Sequence, residues 1–272
     1  MLERRQNSIG RAATAGIPRI SLGGLRLAVL GMEQTAKFMI DAAVRHKGGG
    51  RPLYLTSANG EVLARCSTDP DLDQLFRSAD LISADGQPLV MASRLRTPLP
   101  LPERVATTDL FHVVAEKAVE QGLTFYMFGA SEDENRAAVE NVRRQHPGLK
   151  IVGHSHGFLH GQELSDKIDE INALAPDILW IALGVPREQK FVQDFSGRLD
   201  RVGVIKTSGG LFNFLSGTRA RAPKWMQATG FEWVWRIAQE PRRLIWRYAT
   251  TNPRAIYLLF AGEGEPASTR RH

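Results

Sequence analysis

From residue 52 to residue 206 the chain alternates short apolar runs with longer segments of helical period, and no other feature constrains its fold as tightly. Pro52–Ser57 (PLYLTS), Asp80–Ala84, Leu123–Phe128 (LTFYMF), Leu149–Val152, Asp177–Leu183 (DILWIAL) and Val202–Lys206 read as strands. DILWIAL is apolar almost throughout, as a strand covered on both faces must be. Between these runs lie helical segments at Asn59 through Ala64, Ser67–Arg77, Pro88–Arg94, Leu110–Gln121, Asp133–His146, Glu163–Leu174 and Gln189–Leu199. Thr107, Thr108 and Asp109 are placed to cap the helix that begins at Leu110. Ahead of them, Met32–Arg45 sets Ala36, Met39, Ile40 and Ala43 on one helical face, and Ile20–Leu30 predicts a short strand or hairpin. Strands joined through helices run parallel. The predicted class is α/β, a doubly wound, mostly parallel Rossmann-like sheet with helices on both faces and a C-terminal helical appendage.

Three regions are expected: a loose leader over 1–19, an α/β core over 20–217 and a helical appendage over 218–272. At 43% hydrophobic and 24% charged residues, the 272-residue chain carries too much apolar material for a disordered one. No apolar run approaches the roughly 18 residues that a membrane-spanning helix needs. Residues 1–19 are basic and lack an apolar h-region, so no secretory signal is expected. The single cysteine, Cys66, has no internal partner, which suits a reducing cytoplasm, and it reads as a small buried residue on a helix. The formal net charge of +6 points to an anionic partner.

The strands end in small or polar residues: Ser57-Ala58-Asn59, Ala84-Asp85-Gly86, Gly129-Ala130-Ser131, Gly184-Val185-Pro186 and Ser208-Gly209-Gly210. In a parallel sheet these turns share one edge, where ligands bind. Small side chains let a ligand approach the backbone, and helix N-termini offer N–H groups to phosphates. Asp85 stands on one of these turns, as a helix cap or as a catalytic carboxylate.

Other chemistries fit less well. A dinucleotide site would place G-x-G-x-x-G after the first strand, and Gly129-Ala130-Ser131-Glu132 does not supply it. Asp69-Pro70-Asp71-Leu72-Asp73 contains a D-x-D spacing but reads as an acidic helix start. His154, His156 and His160 fall in an expected loop without a partner carboxylate, so no metal and no cofactor is assigned. Neither G-x-S-x-G nor a Cys/His pair marks a covalent nucleophile.

Residues 217–254 differ from the rest. They hold four of the five tryptophans, Trp225, Trp233, Trp235 and Trp246. They also hold Arg219, Arg221, Lys224, Arg236, Arg242, Arg243, Arg247 and Arg254, against only Glu232 and Glu240. Tryptophan beside arginine suits a membrane–water interface, where the ring lies at headgroup depth and the cation meets phosphate. A packed helical appendage with solvated arginines is the alternative. No nucleic-acid motif accompanies the charge, so no nucleic-acid partner is expected.

Taken in order, Ser57-Ala58-Asn59, Ala84-Asp85-Gly86, Pro102-Glu103-Arg104-Val105, Thr108-Asp109-Leu110, Phe128-Gly129-Ala130, Leu183-Gly184-Val185-Pro186 and Gly209-Gly210-Leu211-Phe212-Asn213 resemble the WecG/TagA/CpsF glycosyltransferases (family 26). The tail, with Arg221-Ala222-Pro223-Lys224-Trp225 and Glu240-Pro241-Arg242-Arg243-Leu244, extends the resemblance, which covers about residues 30–255. It implies an inverting, metal-independent transfer of a sugar from a UDP-sugar donor to a sugar on a polyprenyl diphosphate, in the synthesis of exopolysaccharide or another surface polysaccharide. The enzyme would be cytoplasmic and peripheral on the inner leaflet of the cytoplasmic membrane, and self-association is allowed. The resemblance makes Asp85 the general base and gives Ser57 the place of the family's threonine. Asn59, Gly86, Arg104, Asp109, Gly129, Ala130, Gly184, Pro186, Gly209, Gly210 and Asn213 would bind substrate. The family's P-x-Q-E appears here as Pro186-Arg187-Glu188-Gln189, so Glu188 and Gln189 share that expectation. Arg221, Lys224, Arg236, Arg242, Arg243 and Arg247 would grip the lipid diphosphate. A non-catalytic module that binds a sugar nucleotide or lipid phosphate is the alternative from a different class.

Overall fold

The computed structural model describes residues 13–46 and 48–261. Residues 1–12 of the expected leader, Lys47, residues 262–272 of the appendage and the side chain of Arg243 lie outside the described residues. A hairpin opens the fold, β1 (Arg19–Leu22) and β2 (Leu25–Ala28), followed by α1 (Met32–Arg45). Then come β3 (Leu53–Ala58), α2 (Gly60–Cys66), α3 (Pro70–Arg77), β4 (Leu81–Ala84), α4 (Gln87–Arg96) and α5 (Thr107–Gln121). β5 (Thr124–Gly129), α6 (Glu132–Gln145), β6 (Lys150–Ser155), α7 (Gly161–Leu174), β7 (Ile178–Ala182), α8 (Arg187–Phe195) and β8 (Val204–Thr207) complete the alternation. Four helices end the described chain: α9 (Leu211–Leu215), α10 (Lys224–Thr229), α11 (Glu232–Gln239) and α12 (Pro241–Phe260).

Six strands form one sheet in the order β4-β3-β8-β7-β5-β6, all parallel. Alternate residues of each strand face opposite layers. Phe125, Met127, Trp180 and Val204 pack under α1, α5 and α6 through Met39, Ile40, Phe111, Val114, Val139 and Val142. Tyr126, Phe128, Leu179, Ile181 and Ile205 pack against Ile168, Ile171, Phe191 and Val192 of α7 and α8. This is the doubly wound α/β fold expected from the strand–helix alternation. The hairpin closes a further apolar cluster with Leu63, Phe76, Leu89 and, from the far end of α12, Leu259.

Particular residues set the boundaries. Asn59 Oδ1 accepts from Val62 N at 3.0 Å and starts α2. Asp69 Oδ1 accepts from Leu72 N at 3.1 Å and starts α3, while Asp73 pairs with Arg77. The acids of the D-x-D run are thus engaged in a helix. His154 lies in β6, not in a loop, because that strand runs on to Ser155; its Nδ1 meets Asn135 Oδ1 at 2.9 Å. Cys66 is buried on α2. α5 begins at Thr107, three residues ahead of the sequence expectation, with Ala106 as its N-cap. Thr107 and Thr108 are therefore inside the helix, and Thr107 is free for other use.

Gly129 shows why one turn needs glycine. Its φ is +134°, and a Cβ there would lie 2.3 Å from the Ala182 carbonyl oxygen. No side chain fits between β5 and β7 at that point, so the chain leaves the sheet edge tightly and Ala130 N reaches Ala182 O at 2.9 Å.

Candidate active site

The carboxyl ends of β3, β4, β5, β7 and β8 open into one cavity of about 780 Å³. Its floor is the set of βα turns and its roof comes from α11 and α12, with Glu232, Trp233, Arg236, Arg247 and Tyr248 among the lining residues.

Asp85 stands in the floor. Its backbone N donates to Ala58 O at 2.8 Å, which fixes the turn beyond β4. Its Oδ2 accepts from Thr107 N and Thr107 Oγ1, both at 3.1 Å. Asp85 therefore caps α5, a helix remote in sequence, and not the helix that follows it. Its Oδ1 accepts from Arg104 Nε at 3.2 Å. The side chain keeps 22% exposure, toward the cavity. Cap and cavity carboxylate are thus one residue.

Arg104 joins floor to roof. Its other end pairs with Glu232 at 2.7 Å, so one guanidinium lies between a core carboxylate and a tail carboxylate. Burial works against its charge, but Asp85 and Glu232 outweigh that and raise its pKa. A second tie of the same kind joins Arg247 of α12 to Glu61 of α2 at 2.9 Å.

Glu188 closes the other side of the floor. Its Oε2 accepts from Gly209 N at 2.9 Å and Gly184 N at 3.2 Å, binding the turns after β7 and β8 together. Burial raises its pKa against the pull of those N–H groups, Lys206 and Gln189. Gln189 sits behind it, buried, with Nε2 3.3 Å from Glu188 Oε1 and 3.5 Å from Thr56 Oγ1. Of the pair that shares the P-x-Q-E position, Glu188 lines the cavity. Asn213 donates to Glu134, whose pKa falls: burial would raise it, but the Ser131 and Asn213 hydrogen bonds and Arg219 prevail.

Of the residues singled out in the sequence, Ser57, Asn59, Asp85, Gly86, Arg104, Ala130, Gly184, Glu188, Gly209, Gly210, Asn213, Arg236 and Arg247 line the cavity. Gly129 and Pro186 shape the turns beside it. Asp109 lies outside the wall and pairs with Arg221, which also donates to Gln227 at 2.7 Å; together they strap residues 218–223 to α5. Lys224 and Arg242 are exposed and do not line the cavity.

Three contributors were not singled out as site residues. Thr107 reads as a helix cap in the sequence, and the structure turns its hydroxyl to Asp85. Glu232 reads as one of two acids among many cations, and it holds Arg104. Lys206 ends a strand, and it is buried under the cavity floor with Nζ 2.8 Å from Ser57 Oγ. A lysine inside an apolar strand was the one available signal for it, since full burial of lysine is rare.

The arrangement suits a specific chemistry. Asp85 can take a proton from a hydroxyl presented at the cavity floor. Turn N–H groups and the arginines can hold a phosphate-bearing leaving group.

Comparison with known proteins agrees. Residues 20–267 match the family model described as glycosyl transferase WecG/TagA/CpsF. A protein of Bacillus spizizenii (strain ATCC 23059 / NRRL B-14472 / W23), named N-acetylglucosaminyldiphosphoundecaprenol N-acetyl-beta-D-mannosaminyltransferase, is 31% identical over 219 residues, 80% of this chain and 82% of its own length. A protein of the same name from Bacillus subtilis (strain 168) is 30% identical over 200 residues, 74% of this chain and 76% of its own length.

Proposed function

The chain belongs to the WecG/TagA/CpsF glycosyl transferase family, and from that premise we propose that it moves a sugar from a UDP-sugar to a sugar carried on a polyprenyl diphosphate. The observation that carries the reading is Asp85: a carboxylate held by Thr107 and Arg104, facing a cavity roofed by arginines. In a single displacement the acceptor hydroxyl oxygen bonds to the anomeric carbon as the bond to UDP breaks. Asp85 takes the hydroxyl proton, UDP leaves with the bonding electrons, and the anomeric configuration inverts. The names of the Bacillus relatives, which specify a diphosphoundecaprenol-linked acceptor, support the choice of acceptor class.

The test is a donor screen. UDP-linked N-acetylmannosamine, glucose and glucuronic acid are offered to the purified protein with a polyprenyl-diphosphate-linked N-acetylglucosamine acceptor, and products are read by mass. One donor is expected to give a product heavier by one glycosyl residue. No product with any donor and acceptor, alongside retained binding of a UDP-sugar, would favour a binding module.

The roof helices support a peripheral place on the inner face of the cytoplasmic membrane. No helix among the described residues is long and apolar enough to cross one. On α12, Leu244, Tyr248, Ala255 and Leu259 are buried against the core, while Ile245, Trp246, Ile256, Tyr257 and Phe260 form an exposed stripe, Trp246 at 77%. Arg242, exposed on the same helix, and Trp225, exposed on α10, add the ring and cation types that headgroups favour. Replacing Trp225, Trp246 and Phe260 by serine is expected to lower co-sedimentation with anionic vesicles by about tenfold or more. Unchanged co-sedimentation would remove the membrane from this account.

A further inference from the structure

Lys206 occupies the middle of the sheet. β8 lies between β3 and β7, with Leu55 and Trp180 beside Lys206 in register. The side chain is fully buried, and its Nζ donates to Ser57 Oγ at 2.8 Å and to the Thr207 carbonyl at 2.9 Å. Thr107 Oγ1 donates toward Ser57 Oγ at 3.2 Å and toward Asp85 Oδ2 at 3.1 Å. The four groups form one line from the sheet interior to the cavity floor.

Charge gives that line an order. An ammonium only donates and a carboxylate only accepts, whereas each hydroxyl has a single proton to give. Thr107 shares its one proton between Asp85 Oδ2 and Ser57 Oγ, and Ser57 Oγ also accepts from Lys206, so the Ser57 proton is turned away from both. A neutral amine at Lys206 can accept instead, so the Ser57 hydroxyl is free to turn toward it and the order is lost.

We propose that Lys206 is a positioning residue for glycosyl transfer, its ammonium holding the Ser57 oxygen as an acceptor so that the Ser57 and Thr107 hydroxyls keep one orientation and fix the Asp85 carboxylate toward the acceptor. The inference rests on the glycosyl-transfer reading of the cavity. Among the described residues the charged groups that act on Lys206 are Asp85, beyond β4, and Glu188, on α8. β3 presents Leu55 and Ser57, β7 presents Trp180, and α5 presents Thr107. Burial lowers the Lys206 pKa to about 8 against the pull of both carboxylates. The ammonium therefore prevails below that pH and is lost as pH rises through it, well before an ordinary lysine titrates.

The experiment measures kcat and KM from about pH 6 to 10 for the wild type and Lys206→Met, which replaces the charge with a side chain of similar length. The wild-type kcat is expected to fall above about pH 8, and the variant to lose about tenfold or more in kcat at pH 7 with donor KM within about twofold. The variant should also lack the descending limb. A variant that keeps the wild-type kcat, or keeps the limb, overturns the proposal. A second measurement needs neither turnover nor a folded variant at position 206. The Nζ resonance of Lys206 in ¹⁵N-labelled protein is titrated in the wild type and in Asp85→Asn. The variant titration is expected to move down by about one pH unit, because the carboxylate charge that raises it is gone. An unmoved midpoint overturns the proposal. Absence of sugar transfer by the wild type would instead count against the glycosyl-transfer reading, while the NMR arm reads the coupling of Lys206 to Asp85 without turnover.

Discussion

Asp85→Asn is expected to lower the rate of sugar transfer by about 10²–10⁴-fold, the range that a positioned general base supplies, with the fold intact. Asparagine has nearly the same shape, and its carbonyl oxygen can still accept from Thr107 N and Thr107 Oγ1, so α5 keeps its remote cap. Arg104 keeps Glu232 as an anionic partner. What goes is the ability to take the acceptor proton as the new bond forms. Single-turnover rates with saturating donor and acceptor would read the effect, and a thermal melt beside them would show the fold. Transfer at the wild-type rate by a folded variant would mean that another group takes the proton. Glu188 would then be the next carboxylate to test, because it lines the same cavity and burial raises its pKa.

The sheet was legible in the sequence because its physics is local. A strand buried on both faces must be apolar along its length, and each helix between strands needs its own apolar face. The βα turns were legible for a related reason: Gly129 leaves no room for a side chain, and Asn59 has the side chain that caps a helix. Strand ends were less so. β6 continues through His154 to Ser155 because its backbone pairs with β5, and pairing partners are not written in the strand's own residues.

The site divides the same way. Asp85 stood out because it sits on a turn at the ligand-binding edge. Thr107 did not, because a threonine near a helix start reads as a cap, and its use by Asp85 needs a contact 22 residues away in sequence. Lys206 needed a longer reach, since Ser57 is 149 residues away. The tail posed a phase problem. Its arginines are obvious by composition, but only helix rotation and packing bring Arg236 and Arg247 to the cavity while Lys224 and Arg242 face elsewhere.

Arg104→Ala should be the other large loss, and it should separate catalysis from closure. Arg104 holds the Asp85 carboxylate from one side and anchors α11 through Glu232. Removing it leaves two carboxylates, 22% and 19% exposed, without their shared cation. Full burial of a broken ion pair costs about 3–5 kcal/mol. Exposure of about a fifth and access to water reduce that here, and a stability loss of about 1–3 kcal/mol is expected. The rate should fall by about 10²–10³-fold, as when a donor that stabilises transition-state charge is lost. Arg104→Lys should recover little of either, because a single ammonium on a flexible stem cannot hold both carboxylates in the geometry of a planar guanidinium. The double variant Arg104→Ala with Glu232→Gln decides between the two roles. Removing the second charge relieves the unpaired acid in the roof, so the melting temperature should rise toward the wild type while the rate stays low. If the rate returns with the stability, Arg104 acts only by holding the tail closed. If neither returns, the tie to Asp85 carries both, and the order of the cavity floor depends on it more than the position of the roof does.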